Sequence, residues 1–523
     1  MGKRKGGTVF TSSVPGMEFD LEGPTVDHLF DISAIQNKIV YQDIHAQLEE
    51  WEVLEESDAV PYLPARTEPV NVKVGIEEKT SVRLDLFGSI QLVNHFKYKK
   101  GYVLNTGGNT WGLDFVPKVE SRDTSPFIQY LAVAGYRGAS EERIGLNEEQ
   151  PTGTYKNCVQ LWKLKLSVKQ EPEEPLLDVC ILHDFGAVYD LKWCPYGVYE
   201  EVLEDAGNGL PKLGILAMAC GDGTIRTLVV PHPDALRTSL KLNHNTVYLR
   251  VKSSRCTFAA TNSKPLTIQW GGHKKLASGG TGNDMSIWNM ESALTQPTTR
   301  YGQHLIFSYV VLDSPSKCIT WRGQEDPYHV IVCGFDGRIQ VVDIRDPCIP
   351  FTFMRSRGPV YAACWVGHAP MLLVAGSEDS VRGMTYYPGL TPCLTKYGNL
   401  PGPCWYLGTS EHHGQFLMAT ATGWLASANM YQYKGRVASL YHYYIYKLCY
   451  SEETNTYIYI DGIGFKSQEE IAKTPQYELF TVGEVSLQRA VWNPNRRTAG
   501  FIASAGSAGL CRIEFEGRGS KWE

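Results

Sequence analysis

A recurring unit of roughly 40 to 50 residues constrains the fold of this chain more than any other sequence feature. Each unit begins with an alternation of apolar and polar residues that ends at or near a Trp. An apolar strand, a turn and a second strand follow. In two copies the turn is Asp-Gly, at Asp222-Gly223 and at Asp336-Gly337, which is typical of a β-hairpin. The clearest copies centre on Trp193, Trp270, Trp321 and Trp365.

Three weaker copies extend the pattern to both ends of the chain. They centre on Trp111, Trp405 and Trp492. Four-stranded units at this period are typical of a β-propeller. The sequence therefore predicts an all-β fold, a seven-bladed β-propeller over residues 81–517, with an insertion at 431–483 and a short tail at 518–523.

A closed ring of blades leaves no exposed strand edge at the junction of its two ends. The last unit supplies three strands and ends near Phe515, so its fourth strand must come from elsewhere in the chain. Residues 81–87 and 90–96 alternate well and precede the first unit. We expect one of them to close the ring against the C-terminal blade.

The region before the propeller divides into a tail and an acidic extension. Residues 1–26 are predicted to be a flexible tail, and residues 27–80 a partly helical, acidic extension and tether. Apolar residues recur at steps of mostly three or four between 27 and 56, which favours an amphipathic helix. That helix either packs on its own propeller or docks in a groove of a partner. Its candidate partner contacts are Leu48, Trp51 and Leu54.

The insertion at 431–483 is rich in tyrosine. Tyr side chains are frequent at protein interfaces, because they are both apolar and able to form hydrogen bonds. Ordinary strands that pack on the neighbouring blade would explain the same pattern. The candidate partner contacts here are Tyr441, Tyr443, Tyr444 and Tyr446.

Composition restricts the function. The chain has 50 basic and 56 acidic side chains, a formal net charge of -6, which argues against a protein that coats DNA on its own. Its 13 Cys include no Cys-x-x-Cys pair, which argues against structural zinc and for a reducing compartment. The basic cluster Lys3-Arg4-Lys5 is a candidate phosphate contact or nuclear import signal.

Catalytic signals are weak. The chain has no Walker-type phosphate loop, no Gly-x-Ser-x-Gly and no His-Glu-x-x-His. Asp184-Phe185-Gly186 matches one kinase motif, but the motifs that accompany it in kinases are missing. We expect neither an enzyme nor a cofactor or metal site.

The repeats resemble WD40 repeats, although the chain contains no Trp-Asp dipeptide. A narrower resemblance lies in Tyr189-Asp-Leu-Lys-Trp-Cys-Pro-Tyr-Gly197 and in Val230-Pro-His-Pro-Asp-Ala-Leu236. Both segments are similar to the WD40 subunit of RNA polymerase III transcription factor IIIC, called a τ subunit in yeasts. Members of that family often carry a longer N-terminal extension, with basic, AT-hook-like stretches in some of them, whereas here only Lys3-Arg4-Lys5 appears.

The resemblance implies a nuclear, non-enzymatic scaffold in the subcomplex that recognises the B-box promoter of transfer RNA genes. It implies two partners, a second β-propeller subunit and a large winged-helix subunit, with promoter DNA bound through the complex and no membrane. The alternative is another WD40 scaffold, such as a chromatin-peptide reader or a ubiquitin-ligase adaptor. An aromatic and acidic cage in the central channel would favour the reader.

Overall fold

A computed structural model describes residues 35–516 except 77, 139–144, 146–147, 149, 170–172, 244, 260–262, 297–301, 368–370, 378–379, 386–392, 431–441 and 467–482. The described chain is almost entirely β. Its helices are short: α1 (Glu56–Ala59), α2 (Pro233–Leu240) and α3 (Met290–Thr295), with isolated 3-10 turns between strands.

Five strands precede the first repeated unit. They are β1 (Trp51–Leu54), β2 (Val70–Val74), β3 (Thr80–Leu84), β4 (Ser89–Gln91) and β5 (Gly101–Asn105).

The next strands belong to the first four repeated units. They are β6 (Asn109–Phe115), β7 (Ile128–Tyr136), β8 (Asn157–Lys165), β9 (Leu176–His183), β10 (Val188–Trp193), β11 (Lys212–Cys220), β12 (Thr224–Pro231), β13 (Val247–Val251), β14 (Cys256–Ala259), β15 (Pro265–Gly271), β16 (Lys275–Gly280), β17 (Asp284–Asn289), β18 (Leu305–Val310), β19 (Ser316–Arg322), β20 (His329–Gly334), β21 (Arg338–Asp343) and β22 (Phe351–Arg355).

The remaining strands complete the chain. They are β23 (Val360–Val366), β24 (Met371–Gly376), β25 (Ser380–Thr385), β26 (Cys393–Asn399), β27 (Cys404–Thr409), β28 (Gln415–Thr420), β29 (Trp424–Asn429), β30 (His442–Ser451), β31 (Thr456–Ile460), β32 (Gly464–Lys466), β33 (Leu487–Trp492), β34 (Phe501–Gly506) and β35 (Leu510–Phe515).

These described strands form seven sheets, named here in chain order by their innermost strand. Each is given in hydrogen-bonding order: sheet A, β6-β7-β8-β9-β13-β1; sheet B, β10-β11-β12-β14; sheet C, β15-β16-β17-β18; sheet D, β19-β20-β21-β22; sheet E, β23-β24-β25-β26; sheet F, β27-β28-β29-β30-β31-β2-β3, with β32 on β30; and sheet G, β33-β34-β35-β5-β4.

The innermost strand of each sheet contacts the innermost strand of the next, and β33 of the last sheet contacts β6 of the first. The sheets therefore follow one another around a central axis, which confirms the predicted all-β propeller. The predicted Asp-Gly hairpins are present as well. Gly223 joins β11 to β12 at a φ of 82°, and Gly337 joins β20 to β21 at a φ of 75°, a conformation that glycine adopts without strain.

Adjacent inner strands are joined by side-chain hydrogen bonds in addition to packing. The indole Nε1 of Trp270 donates to the carbonyl oxygen of Lys192 at 3.1 Å, and Trp321 repeats the contact to Gln269 at 3.0 Å. The backbone N–H of Trp193 donates to the Asp114 carboxylate at 2.9 Å. Together these bonds fix the spacing of the inner strands, and so define the walls of the central channel.

The expected closure of the ring by the N-terminal region occurs, but through a different strand. Strand β5 pairs with β35, with Tyr102 opposite Ile513, and β4 lies outside β5. The first expected segment, 81–87, contributes β3 to sheet F instead, because β2 pairs with both β3 and β31. Alternation predicted these strands, but it contains no information about the distant partner.

The predicted amphipathic helix between residues 27 and 56 is not present from residue 37 to residue 55, although the first two described residues, 35 and 36, are helical. Trp51–Leu54 is the edge strand of sheet A and pairs with β13. Farther back, Ile39 and Ala46 form isolated bridges to Gly197 and Leu210. Of the apolar side chains at helical spacing, Ile44 and Trp51 are buried by these long-range contacts, whereas Ile39 and Leu48 stay exposed, and a local pattern does not reveal this division.

Candidate protein-binding surfaces

The outermost strands of sheets C, D and E carry apolar side chains on their exposed faces. In β18 every second residue faces outward, and these include Ile306 and Val310, which are 43% and 57% exposed. The intervening Phe307 and Tyr309 pack on the hydrophobic core between sheets C and D. Strand β18 is therefore apolar on both faces, although only one of them is used inside the protein.

The same feature recurs on the next two sheets. Phe351 begins β22 and is 53% exposed, and Ile349 in the preceding loop is 73% exposed. On sheet E, Leu394 of β26 is half exposed. Within the described part of the chain, β18, β22 and β26 each pair on one side only. We call these three strands the bare edges. An unpaired strand edge with exposed apolar residues is a site for association.

The other sheets have edges of a different character. Strands β13 and β1 extend sheet A, β31, β2 and β3 extend sheet F, and β4 covers sheet G. The edge strand of sheet B points its apolar residues inward, because Phe258 of β14 stacks on Trp288 with ring centroids 4.8 Å apart. Exposed apolar side chains on edge strands thus concentrate on three consecutive sheets.

Charged groups lie beside the bare edge of sheet D. Arg345 forms a 2.6 Å ion pair with Asp343, and its hydrogen bonds lower the pKa of Asp343 to about 2. The Arg345 guanidinium also lies 4.7 Å from the ring centre of the half-exposed Tyr328. An apolar strip with a charged margin is the common anatomy of a protein interface.

The N-terminal candidate contacts are divided between surface and core. Leu48 is 37% exposed, whereas Trp51 is buried in the core between sheets A and B. Leu54 is half-buried against a second core cluster. The structure brings Trp51 and Leu54 onto one short strand, and only Leu48 of the three presents substantial surface to a partner.

The tyrosine candidates form the fourth strand of sheet F. Tyr444 and Tyr446 on β30 are 2% and 1% exposed, and the Tyr446 hydroxyl hydrogen-bonds to Ser504 at 2.7 Å. Tyr443 is half-buried and packs on the core between sheets F and G. Tyr441, like Lys3, Arg4 and Lys5, lies outside the described residues. These tyrosines supply packing between sheets, while the surface available to a partner is small.

The central channel is the principal cavity of the described structure, with a volume of about 340 Å³. All seven innermost strands line it. Aromatic residues cluster on one wall, where the rings of Tyr361 and Trp405 line the cavity 4.9 Å apart, and behind them Trp111 meets Trp405 edge-on at 6.4 Å. Two cations already occupy this wall, since Lys317 lies over Trp405 and Arg489 lies over Trp111.

The acidic side chains of the channel are largely engaged by the chain itself. Asp190 accepts from Arg489 at 3.3 Å through one oxygen and from the Ile268 N–H at 3.1 Å through the other. Burial raises the pKa of Asp114 to about 6 and that of Glu411 to about 7. The wall is aromatic and cationic, unlike the aromatic and acidic cage that a reader of methylated lysine requires.

Two kinds of site are missing from the described residues. No three His, Cys, Asp or Glu side chains in this part of the chain lie close enough together to hold a metal ion. None of its helices is both long and apolar enough to cross a membrane.

Sequence reasoning missed the bare edges and the channel cations. The edges had a local signal, because Leu305-Ile-Phe-Ser-Tyr-Val310 is apolar at both even and odd positions. A strand that packs against the protein on one face needs apolar residues only at alternate positions. The channel position of Lys317 had no local signal in the sequence, because its aromatic neighbours, Trp111 and Trp405, are far away in the chain.

Comparison with known proteins gives a consistent set of relatives. No protein-family model matches the chain. It is 24% identical over 440 residues to "Transcription factor tau subunit sfc6" of Schizosaccharomyces pombe. This match covers 81% of this chain and 67% of the yeast protein. It is 26% identical over 333 residues to "General transcription factor 3C polypeptide 2" of Homo sapiens, which covers 58% of this chain. The similarity to transcription factor IIIC subunits expected from the sequence is confirmed.

The extent of the match differs between these relatives. This chain matches 35% of the human protein, about a third of its length. Among solved structures, a chain of "Crystal Structure of Mitotic Checkpoint Complex" has a TM-score of 0.42 and 13% identity, over 74% of this chain and 83% of that chain.

Proposed function

We propose that this chain, whose curated relatives are subunits of transcription factor IIIC, is a non-enzymatic scaffold subunit of that factor. In this role it assembles the subcomplex that recognises the B-box promoter for transcription of transfer RNA genes by RNA polymerase III. Its place of action would be the nucleus. Its partners would be a second β-propeller subunit and a large winged-helix subunit, with promoter DNA held through the complex. We assign one blade of the propeller to each of the seven sheets.

The observation that carries the proposal is the similarity over 81% of the chain to the yeast tau subunit. In this proposal the bare edges supply the surface that binds a partner subunit. Within the described residues, three consecutive sheets end in strands that pair on one side only and carry exposed apolar side chains, and we assign these strands to a partner subunit. A propeller suits such a role, because its rigid ring can present a large preorganised surface.

The net charge of -6 agrees with binding of DNA through partners rather than directly. A protein that neutralises many phosphates on its own needs an excess of Lys and Arg. Any direct contact would come from a few basic groups that reach phosphates beside a subunit that reads the bases. Lys3, Arg4 and Lys5 are the candidates for that contact.

The alternative of a chromatin-peptide reader has less support from the channel. A methylated lysine would have to share the faces of Trp111 and Trp405 with Lys317, and like charges repel at that distance. Nothing in the described structure favours a ubiquitin-ligase adaptor over the proposed role. Both alternatives are outcomes of the test below.

Affinity purification of the tagged full chain from nuclear extract tests the proposal. We expect recovery of a second propeller and a winged-helix protein, and retention of B-box DNA only by the complex. The informative variant is Val310→Lys combined with Phe351→Lys, which places charge on two bare edges. It should lower partner recovery by about tenfold or more, as loss of central interface residues does.

Ser81→Lys is the matched control, because Ser81 is exposed on the edge strand β3 but carries no apolar surface. It should leave partner recovery unchanged. Recovery of ligase or chromatin-modifier components instead of the two subunits would exclude the transcription factor role. Equal loss in both variants would show that the bare edges are not the binding surface.

A further inference from the structure

Lys317 lies in the central channel without an anionic partner among the described residues. It belongs to β19, the innermost strand of sheet D, and lines the cavity. Its ammonium lies 4.8 Å from the ring centre of Trp111 and 5.4 Å from that of Trp405. Two indole faces therefore hold the charge, while no carboxylate of the described residues forms an ion pair with it.

The other two channel cations have partners. Arg489 is bound by the Asp190 carboxylate and by the Tyr189 carbonyl oxygen at 3.1 Å. Lys192 donates to the Tyr406 hydroxyl at 2.9 Å, and Asp114 and Asp190 lie close enough to attract it. Lys317 is thus the channel cation on which an incoming group would have the largest effect.

The surroundings of Lys317 make its charge costly. Burial and the neighbouring Arg489 lower the pKa of Lys317 to about 8, and Asp190 offsets this only in part. An anion that approaches the Lys317 ammonium stabilises its charged form, because the attraction replaces the hydration that burial removed.

The chemistry of the channel restricts the ligand. A cationic ligand would meet Lys317 and Arg489 on the aromatic faces that would otherwise bind it. A doubly charged phosphate would be opposed by Asp114, Asp190 and Glu411, which also line the cavity. A single carboxylate on an apolar stem suits both Lys317, the channel cation without an ion pair among the described residues, and the neighbouring tryptophan rings.

We propose that the central channel binds an acidic side chain of a partner polypeptide, with its carboxylate on the Lys317 ammonium and its methylene groups against Trp405. The cavity of about 340 Å³ is at the small end of binding pockets, which suits a side chain better than a large ligand. The loop residues Gln324 and Glu411 line the cavity together with Ile35 of the N-terminal segment. The site does not depend on which complex the chain enters.

Titration of the full chain with a seven-residue Gly/Ser peptide that contains one central Glu tests the proposal, with tryptophan fluorescence as the readout. Saturable binding is expected. The same peptide with Gln in place of Glu should bind about tenfold more weakly, because it lacks the charge. Free glutarate should also bind more weakly, and inorganic phosphate should not compete.

Variants identify the residue responsible. Lys317→Met should weaken binding of the Glu peptide by about tenfold, whereas Lys317→Arg keeps the charge and should stay within about threefold of the parent. Lys252→Met, at an exposed position on the surface, is the control and should change nothing. If Lys317→Met does not fold, the comparison of the Arg variant with the two peptides still decides the question.

The pH dependence gives a second readout. The parent protein should lose affinity for the Glu peptide as pH rises from 7 to 9, since Lys317 releases its proton near pH 8. Lys317→Arg should not show this loss, because arginine stays charged. Equal binding of the Glu and Gln peptides, or unchanged binding by Lys317→Met, would overturn the proposal. If free glutarate bound as tightly as the Glu peptide, the assignment to a polypeptide would be overturned. If inorganic phosphate bound more tightly than the Glu peptide, the assignment to a carboxylate would be overturned.

Discussion

Arg512 and Asp461 form a two-point salt bridge in which neither side chain is exposed to solvent. The Arg512 nitrogens lie 2.6 and 3.1 Å from the two Asp461 oxygens. Lys99 donates to Asp461 at 2.8 Å and to Glu514 at 2.9 Å. Two cations and two carboxylates therefore balance one another where sheets F and G meet. The guanidinium also lies 4.6 Å from the ring centre of Tyr446.

Asp461→Asn should strongly destabilise the protein. The substitution leaves two buried cations facing one carboxylate, and breaking a buried pair from one side costs about 3 kcal/mol or more. Urea denaturation of the two proteins at pH 7 would measure the difference in the free energy of unfolding. The control is Glu52→Gln, which breaks the exposed pair between Glu52 and Arg250 and should cost less than about 1 kcal/mol.

The same network predicts an acid dependence. Burial raises the pKa of Asp461, but Arg512 and Lys99 outweigh burial and keep it below the usual value. Because the pKa in the folded protein is depressed, the stabilisation is present above the pKa of the unfolded chain, near 4, and is lost as pH falls below it. The parent should therefore lose its advantage over Asp461→Asn at low pH. A constant difference from pH 7 to pH 3 would contradict this.

Gly101→Ala should weaken the closure of the ring. Gly101 begins β5 at a φ of 146°, and a Cβ there would overlap the carbonyl oxygen of Ile513 on β35. Strained backbone and a forced shift of the closing strand together cost about 2 to 4 kcal/mol. Hydrogen exchange should show the amides of β35 opening first. Gly483→Ala is the control, since a Cβ at Gly483 meets no atom of the described residues within 4 Å.

Asp114→Asn should change the pH dependence of stability in the neutral range. Asp114 accepts the Trp193 N–H between two inner strands, and burial raises its pKa to about 6. Because the pKa of Asp114 is raised in the folded protein, the contribution of its protonated form to stability is fully present below about pH 4. This contribution is lost as pH rises through 6. The parent should therefore become less stable relative to Asp114→Asn by about 2 kcal/mol between pH 4 and pH 8. Parallel stability curves for the two proteins would contradict the assignment.

The sequence predicted the propeller because its signal is repeated. Each inner strand contains a Trp, and the alternation of apolar residues survives in copies as different as those at Trp193 and Trp365. The role of these residues in joining adjacent sheets was not predictable. Trp321 Nε1 reaches Gln269 only because two inner strands lie side by side, and that spacing is a property of the closed ring.

Errors arose where a segment takes its structure from a distant partner. Trp51–Leu54 has apolar residues at helical spacing, yet it is a strand because β13, two hundred residues away, offers it a free edge. The burial of Trp51, Tyr444 and Tyr446 likewise follows from their partners in distant parts of the chain. The Tyr446 hydroxyl is occupied by Ser504, so its burial follows from sheet pairing and not from its local composition.

The bare edges predict self-association of the isolated chain. Val310 and Phe351 are more than half exposed on strands that pair on one side only, within the described part of the chain. Without a partner subunit, such edges can pair with a second copy. The apparent mass in sedimentation should therefore rise with protein concentration. Val310→Lys combined with Phe351→Lys should suppress this rise, because charge at an edge opposes pairing, while Ser81→Lys on the edge of sheet F should not. Association that persists in the double variant would place the contact elsewhere on the propeller.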